Sequence, residues 1–169
     1  MWEKNLNALM VLILAGVLLS AFSVQIFLHE QPCPLCMLQR LGMLGVATGA
    51  LMNMKFGVST SHYGLSLLSA LMGGFVALRH IFLHVCPQFP AYGTPVFGLS
   101  LYTWSFIVFV CVVTYIALLM IIFNKREKSH GKGQMMNGWC RFASCMILLV
   151  ALANVATTFA QCKWGPCLG

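Results

Sequence analysis

Five long apolar runs, separated by short polar or proline-bearing stretches, dominate the chain. They extend from about 6 to 28, 37 to 54, 63 to 85, 99 to 123 and 142 to 160. Each is close to the ~20 residues with which a helix crosses a hydrocarbon core. Lipid offers the backbone no hydrogen-bond partner, so such runs are expected as helices. The pattern predicts an all-α integral membrane protein. The first run follows the charged start Glu3-Lys4 and is long for a signal-peptide core. No small-x-small cleavage site precedes His29, so it reads as an uncleaved span. The second run carries Gly42, Gly45 and Gly49, small residues that let helices approach closely. Between the third and fourth runs, Pro87, Pro90 and Pro95 cannot sit inside a regular helix and mark a loop over 86–98.

Composition sharpens this picture. Hydrophobic residues form 60% of the chain and charged residues 8%, far from a soluble domain. Within 169 residues, five spans and short loops leave no room for a separate soluble domain, so a single membrane domain over 1–169 is expected. The formal net charge of +7 could suggest nucleic acid, but the cations are not interleaved with aromatics on one face. Lys125, Arg126, Lys128, Lys132 and Arg141 instead cluster between two apolar runs, as a cytoplasmic loop over 124–141 would require. With Lys4 and Lys55 they face inward, whereas Arg40, Arg79 and Lys163 fall near the outer surface. The bias predicts a cytoplasmic N-terminus, outer loops at 29–36 and 86–98, and an outer tail over 161–169. Trp2, Trp104, Trp139 and Trp164 fall near span ends, as in an aromatic belt.

That topology sorts the cysteines. Cys33, Cys36, Cys86, Cys162 and Cys167 are expected outside, where disulfides persist. Cys111, Cys140 and Cys145 lie within or beside spans and read as small apolar residues. The most informative stretch is Cys33-Pro34-Leu35-Cys36-Met37-Leu38-Gln39-Arg40. Two thiols at this spacing can close into a small disulfide ring and reopen, and their thiolates are often acidified. A cation one helical turn beyond Cys36 favours a thiolate or a developing oxyanion. A purely structural disulfide is the weaker reading, since so small a ring fastens little loop entropy. Cys33, Cys36, Cys162 and Cys167 also have the spacing of a four-thiolate zinc site, which keeps a non-enzymatic, metal-binding membrane protein as the alternative. His80 and His84 share a helical face but lack an evident third ligand. Arg40 and Arg79 could merely snorkel to headgroups.

The Cys-x-x-Cys loop followed by Gln39-Arg40 resembles the disulfide bond formation protein B (DsbB) family of bacterial inner-membrane quinone reductases. Arg79-His80 at the end of the third run and the segment Phe97 to Phe106 add to the likeness, which covers roughly Leu6 to Phe123. The resemblance implies a four-helix transmembrane bundle, here with a fifth transmembrane helix. It implies that Cys36 engages a ubiquinone or menaquinone, with Gln39, Arg40, Arg79 and His80 around it and Arg40 stabilising thiolate and reduced ring. Cys33 would exchange with a second outer disulfide, and that disulfide with a periplasmic thioredoxin-like oxidase of DsbA type. Such a partner has a potential of about −120 mV, so its recharger must draw on something more oxidising. The chain departs from the family in one respect: its second outer loop holds Cys86 alone, and the fifth run delivers Cys162 and Cys167 to the same side. The tail is expected to take over part of the second pair's role, either as its own disulfide or by pairing one member with Cys86. A vitamin K epoxide reductase type of enzyme would share the quinone chemistry. It is disfavoured because the Cys-x-x-Cys joins the first two spans and precedes Gln-Arg.

Overall fold

A computed structural model of the chain describes residues 2–27, 33–85, 95–123 and 137–162. Five helices make up almost all of it: α1 (Trp2–Phe27), α2 (Pro34–Phe56), α3 (Thr60–Val85), α4 (Leu101–Phe123) and α5 (Gly138–Cys162). All five are long and apolar enough to cross a membrane. The helices begin earlier than hydropathy predicts at four of five starts, because polar residues extend each helix beyond its apolar run. At α2 the reason is specific. Pro34 takes the first helical position, where a missing N–H costs nothing, and Cys33 caps it, so Cys36 belongs to the helix and not to the preceding loop.

Hydrogen bonds fix how the helices alternate. Near one end, Asn7 of α1 meets Tyr63 of α3 and Asn53 of α2. There too the Tyr115 hydroxyl of α4 donates to the Leu6 carbonyl, and the Cys140 thiol of α5 to that of Lys4. The other end gathers the start of α2, the last turns of α1 and α3, and the start of α4. The bundle therefore runs up and down through α1 to α4, and α5 lies parallel to α1, ending at the Cys33 end.

The core follows from narrow stripes of buried residues. On α5 these are Cys140, Ala143, Ile147, Val150 and Asn154, spaced by three and four, with Leu148, Leu149, Leu152 and Val155 turned outward. On α1 the stripe is Ala8, Val11, Ala15, Leu18 and Phe22. The closest approach is between α2 and α3, where the glycines act. A Cβ on Gly42 would lie 2.9 Å from the Gly73 Cα, and one on Gly45 2.6 Å from the Ser69 Oγ. One on Gly49 would meet the Ser66 hydroxyl and lie 2.5 Å from the His62 carbonyl oxygen. Phe109 of α4 fills the surface left open by Gly73. Because the partner at Gly49 is backbone, it cannot rotate away. Gly49→Ala is expected to destabilise the fold by about 1–3 kcal/mol, whereas Gly16→Ala, with nothing within 4 Å of the added methyl, leaves it unchanged. Thermal unfolding of the two variants in the same detergent checks this.

Candidate functional site

The chemistry of the Cys33 end begins with a helix cap. Cys33 has the extended backbone of a capping residue, with φ −72° and ψ 156°, and its sulfur accepts the Cys36 backbone N–H at 3.2 Å. The first amides of a helix lack internal partners and carry a partial positive charge, so a sulfur held there is stabilised as an anion. The Cys36 Sγ lies 2.9 Å from the Cys33 Sγ. The Cys33 thiol is accordingly held at about 4, far below its ordinary 9.0, chiefly by the Cys36 thiol. Burial opposes this, while His80 and the Cys36 N–H reinforce it.

His80 reaches this sulfur from the penultimate turn of α3, with Nε2 3.8 Å from Cys33 Sγ. Its other nitrogen, Nδ1, is 3.3 Å from the Gln39 amide Nε2, and both residues are buried. As oriented, the amide N–H donates to Nδ1, which leaves the ring proton on Nε2, facing the sulfur. The first turn of α4, entered through a tight turn, completes the enclosure. Phe97 and Gly98 adopt φ 52° and 78°, and Val96 and Leu99 exchange backbone hydrogen bonds across them. The chain then enters α4 through Ser100, whose carbonyl accepts the Thr103 and Trp104 N–H groups. Tyr102 in that first turn lies against the His80 ring at 4.5 Å between centroids and stacks on His84 at 5.3 Å. His84 contributes the edge of this aromatic group, its Nδ1 3.0 Å from the His80 carbonyl.

Arg40 is buried one turn inward from Cys36, but its contacts are with α1. Its Nη1 donates to Gln25 Oε1 at 2.8 Å, and its guanidinium lies 4.7 Å from the centre of the Phe22 ring. Phe22 carried no sequence signal, because it continues an ordinary apolar run, whereas Gln25 is a polar side chain inside that run and so marked a contact. Arg79 departs from expectation. A residue step of about 100° along a helix separates it from His80, and it is exposed, outside the group that His80 joins. Gln39, His80, Cys33 and Cys36 are brought together; Arg40 adjoins them with partners of its own. Cys86, Cys167 and the Cys162 side chain lie outside the described residues. Cys140 is buried and Cys111 and Cys145 are exposed on the apolar surface, well away from the site along α4 and α5.

The Cys33 environment has a direct reactivity consequence. In reduced protein, alkylation of Cys33 is expected to be nearly flat between about pH 5 and 8, whereas an ordinary thiol gains roughly tenfold per unit. His80→Ala removes a stabilising contact and moves the inflection upward. The linkage has a definite sign: the folded value is depressed, so the stabilisation is complete above pH 9.0 and lost as pH falls through about 4. Site-resolved mass mapping of alkylated peptides against pH checks both statements.

A polar cluster at the opposite end is of another kind. Asn7 Nδ2 donates to Tyr63 Oη at 3.0 Å, and Asn53 Oδ1 accepts from the Ser59 N–H at 3.1 Å. These buried groups satisfy one another and fix helix register, as buried polar groups in a bundle must.

Fold and site together define a multi-span helical membrane protein with a helix-capping dithiol at one end, in contact with a buried histidine and close to a buried arginine. Comparison with known proteins narrows this class. The family model described as "Disulfide bond formation protein DsbB" matches residues 3–92. The Disulfide bond formation protein B of Pseudomonas syringae pv. tomato is 32% identical over 162 residues, covering 76% of this chain and 94% of that protein. That of Xanthomonas axonopodis pv. citri is 35% identical over 107 residues, covering 59% and 62%. That of Burkholderia pseudomallei is 28% identical over 153 residues, covering 70% and 90%. No solved structure matches. The chain belongs to the DsbB family of disulfide bond formation proteins.

Proposed function

We propose that the protein is a thiol:quinone oxidoreductase that reoxidises a DsbA-like dithiol partner in the periplasm, with the N-terminus cytoplasmic in the bacterial inner membrane. The observation that carries the reading is the capped Cys33 sulfur, 2.9 Å from Cys36 and 3.8 Å from His80 Nε2, at the end of a membrane-length helix. In the first half-cycle the partner's two thiols reduce the Cys33–Cys36 disulfide and themselves become a disulfide. In the second, the Cys33–Cys36 dithiol closes again and gives up two electrons and two protons. A membrane quinone supplies the acceptor for both when bound.

The residues fit such a group. A planar ring with two carbonyl oxygens needs N–H donors in an apolar setting, and the buried Arg40, Gln39 and His80 are the candidates to hold it. Arg79, exposed on α3, is not assigned to it. Cys33, outside the helix, is the sulfur suited to exchange with another disulfide. Cys36, one turn closer to Arg40, is suited to face the acceptor. Stabilising the Cys33 thiolate favours the reduced state of the pair and so makes its disulfide more oxidising, as recharging an oxidase demands.

The tail is assigned the second exchange step. α5 ends at the Cys33 end, and we assign Cys162 and Cys167, with Cys86, the relay between partner and Cys33. Steady-state turnover tests the whole. Purified protein with a reduced DsbA-like partner should reduce ubiquinone-1 or menadione in step with partner oxidation. Cys162→Ser and Cys167→Ser should slow partner oxidation while leaving quinone reduction by chemically reduced protein unchanged. A partner that stays reduced with both quinones contradicts the proposal.

A further inference from the structure

We propose that the reduced site is also a binding site for a thiophilic divalent cation of the zinc type, held by Cys33 Sγ, Cys36 Sγ and His80 Nε2, and that the bound ion arrests the dithiol cycle. These three ligand atoms all lie within 4.8 Å of one another. Around zinc, with bonds of ~2.3 Å to sulfur and ~2.0–2.1 Å to nitrogen, tetrahedral edges measure about 3.5–3.8 Å. The Cys33–His80 separation of 3.8 Å already meets that length, and the sulfur–sulfur separation of 2.9 Å needs to open by less than about 1 Å. Rotation of the Cys36 side chain about its first torsion supplies such a movement.

The surroundings match a metal site beyond the ligands. A ligating histidine normally has its second nitrogen fixed by a hydrogen bond, which sets its tautomer and aim. Gln39 stands at that nitrogen, 3.3 Å from Nδ1, and turning its amide presents Oε1 to an Nδ1–H. Tyr102 holds the ring face at 4.5 Å. Two thiolates neutralise a divalent charge, so the filled site carries no net charge at the membrane surface. Sulfur and imidazole select zinc-like ions over magnesium or calcium, which need oxygen ligands. Three protein ligands leave a fourth position open.

Binding requires both thiolates, so the Cys33–Cys36 disulfide cannot take the ion and the bound ion keeps the pair from closing. The arrest rests on the proposed dithiol cycle; the binding rests only on the pair being reduced. The histidine distinguishes this site from the four-thiolate alternative that the sequence allows, which would use Cys162 and Cys167.

The test uses full-length reduced protein in detergent without oxygen, with Co²⁺ as the spectroscopic probe and Zn²⁺ as competitor. One Co²⁺ per chain should bind with thiolate charge-transfer and tetrahedral d–d bands, displaced by Zn²⁺. The combined Cys86→Ser, Cys162→Ser and Cys167→Ser variant should keep these bands, and Cys33→Ser should lose them. Affinity should fall by at least tenfold in His80→Ala and by roughly 10–100-fold in Gln39→Leu, which leaves every ligand in place. Zn²⁺ should also block oxidation of Cys33 and Cys36 by diamide, a readout independent of any quinone. Absence of the bands from wild type, an unchanged Co²⁺ affinity in both His80→Ala and Gln39→Leu, or loss of the bands with the tail serines would overturn the site. Bound Zn²⁺ that leaves diamide oxidation unhindered would overturn the arrest.

Discussion

Cys36→Ser is expected to reduce quinone turnover to the rate seen without protein. A serine hydroxyl cannot form the disulfide to which the two-electron cycle must return, and it is not ionised at neutral pH. The loss is therefore one of stoichiometry as well as rate: the variant has no oxidised form of the pair to cycle through. The structure adds a feature that separates this from misfolding. The Cys36 backbone N–H donates to Cys33 Sγ at 3.2 Å, and serine retains that N–H, so the cap persists. Cys33 should remain more reactive than an ordinary thiol, though less acidic than in wild type, because the Cys36 thiol is the largest contributor to its lowered value. Absence of turnover together with a reactive Cys33 is the expected result. Turnover above a tenth of wild type would show that another pair carries the electrons.

Arg40→Leu is expected to be the next most damaging substitution. A fixed cation beside the reacting groups favours whatever anion develops there, the reduced acceptor included, by roughly 10–10³-fold. The guanidinium is also anchored, by Gln25 Oε1 at 2.8 Å and by the face of Phe22 at 4.7 Å. Lysine keeps the charge but not the planar fork that makes both contacts. Turnover at limiting quinone should therefore fall by about 10–10³-fold in Arg40→Leu, with a smaller loss in Arg40→Lys. Gln25→Leu, which frees the guanidinium from its anchor, should raise the quinone KM more than it lowers kcat. Equal kinetics for wild type and Arg40→Leu would assign Arg40 to headgroup contact alone.

The sequence was most legible where one physical constraint dominated. Lipid forces apolar runs into helices, and five runs became five helices. Gly42, Gly45 and Gly49 announced a close helix contact, and α3 meets α2 there with no room for a methyl group. Contiguity also made Cys33, Cys36, Gln39 and Arg40 visible, since all fall within three turns of one helix. What could not be read depended on contacts between distant segments. Phe22 and Gln25 support Arg40 from α1; nothing in the run marks Phe22, and the polar Gln25 does not by itself name its partner. Tyr102 lay within a stretch noted for its likeness to the family, yet its role comes from meeting His80 across the bundle. Arg79 and His80 are neighbours in sequence, and only helical phase separates an exposed residue from a buried one. The start of α2 was placed three residues late because proline and cysteine read as loop, although proline at a first helical position and cysteine as cap begin a helix well.

The claim that Cys33 and Cys36 are the electron conduit is most directly tested in a single turnover. Fully reduced protein carrying Cys86→Ser, Cys162→Ser and Cys167→Ser, in which a new disulfide cannot pass onward by exchange, is mixed without oxygen with one equivalent of a soluble quinone, quenched by alkylation, and mapped by peptide mass. One equivalent of quinol should form while Cys33 and Cys36 together lose their reactivity, with Cys111, Cys140 and Cys145 unchanged. Quinol formed while Cys33 and Cys36 both remain alkylatable, or no quinol formed from the fully reduced protein, would contradict it.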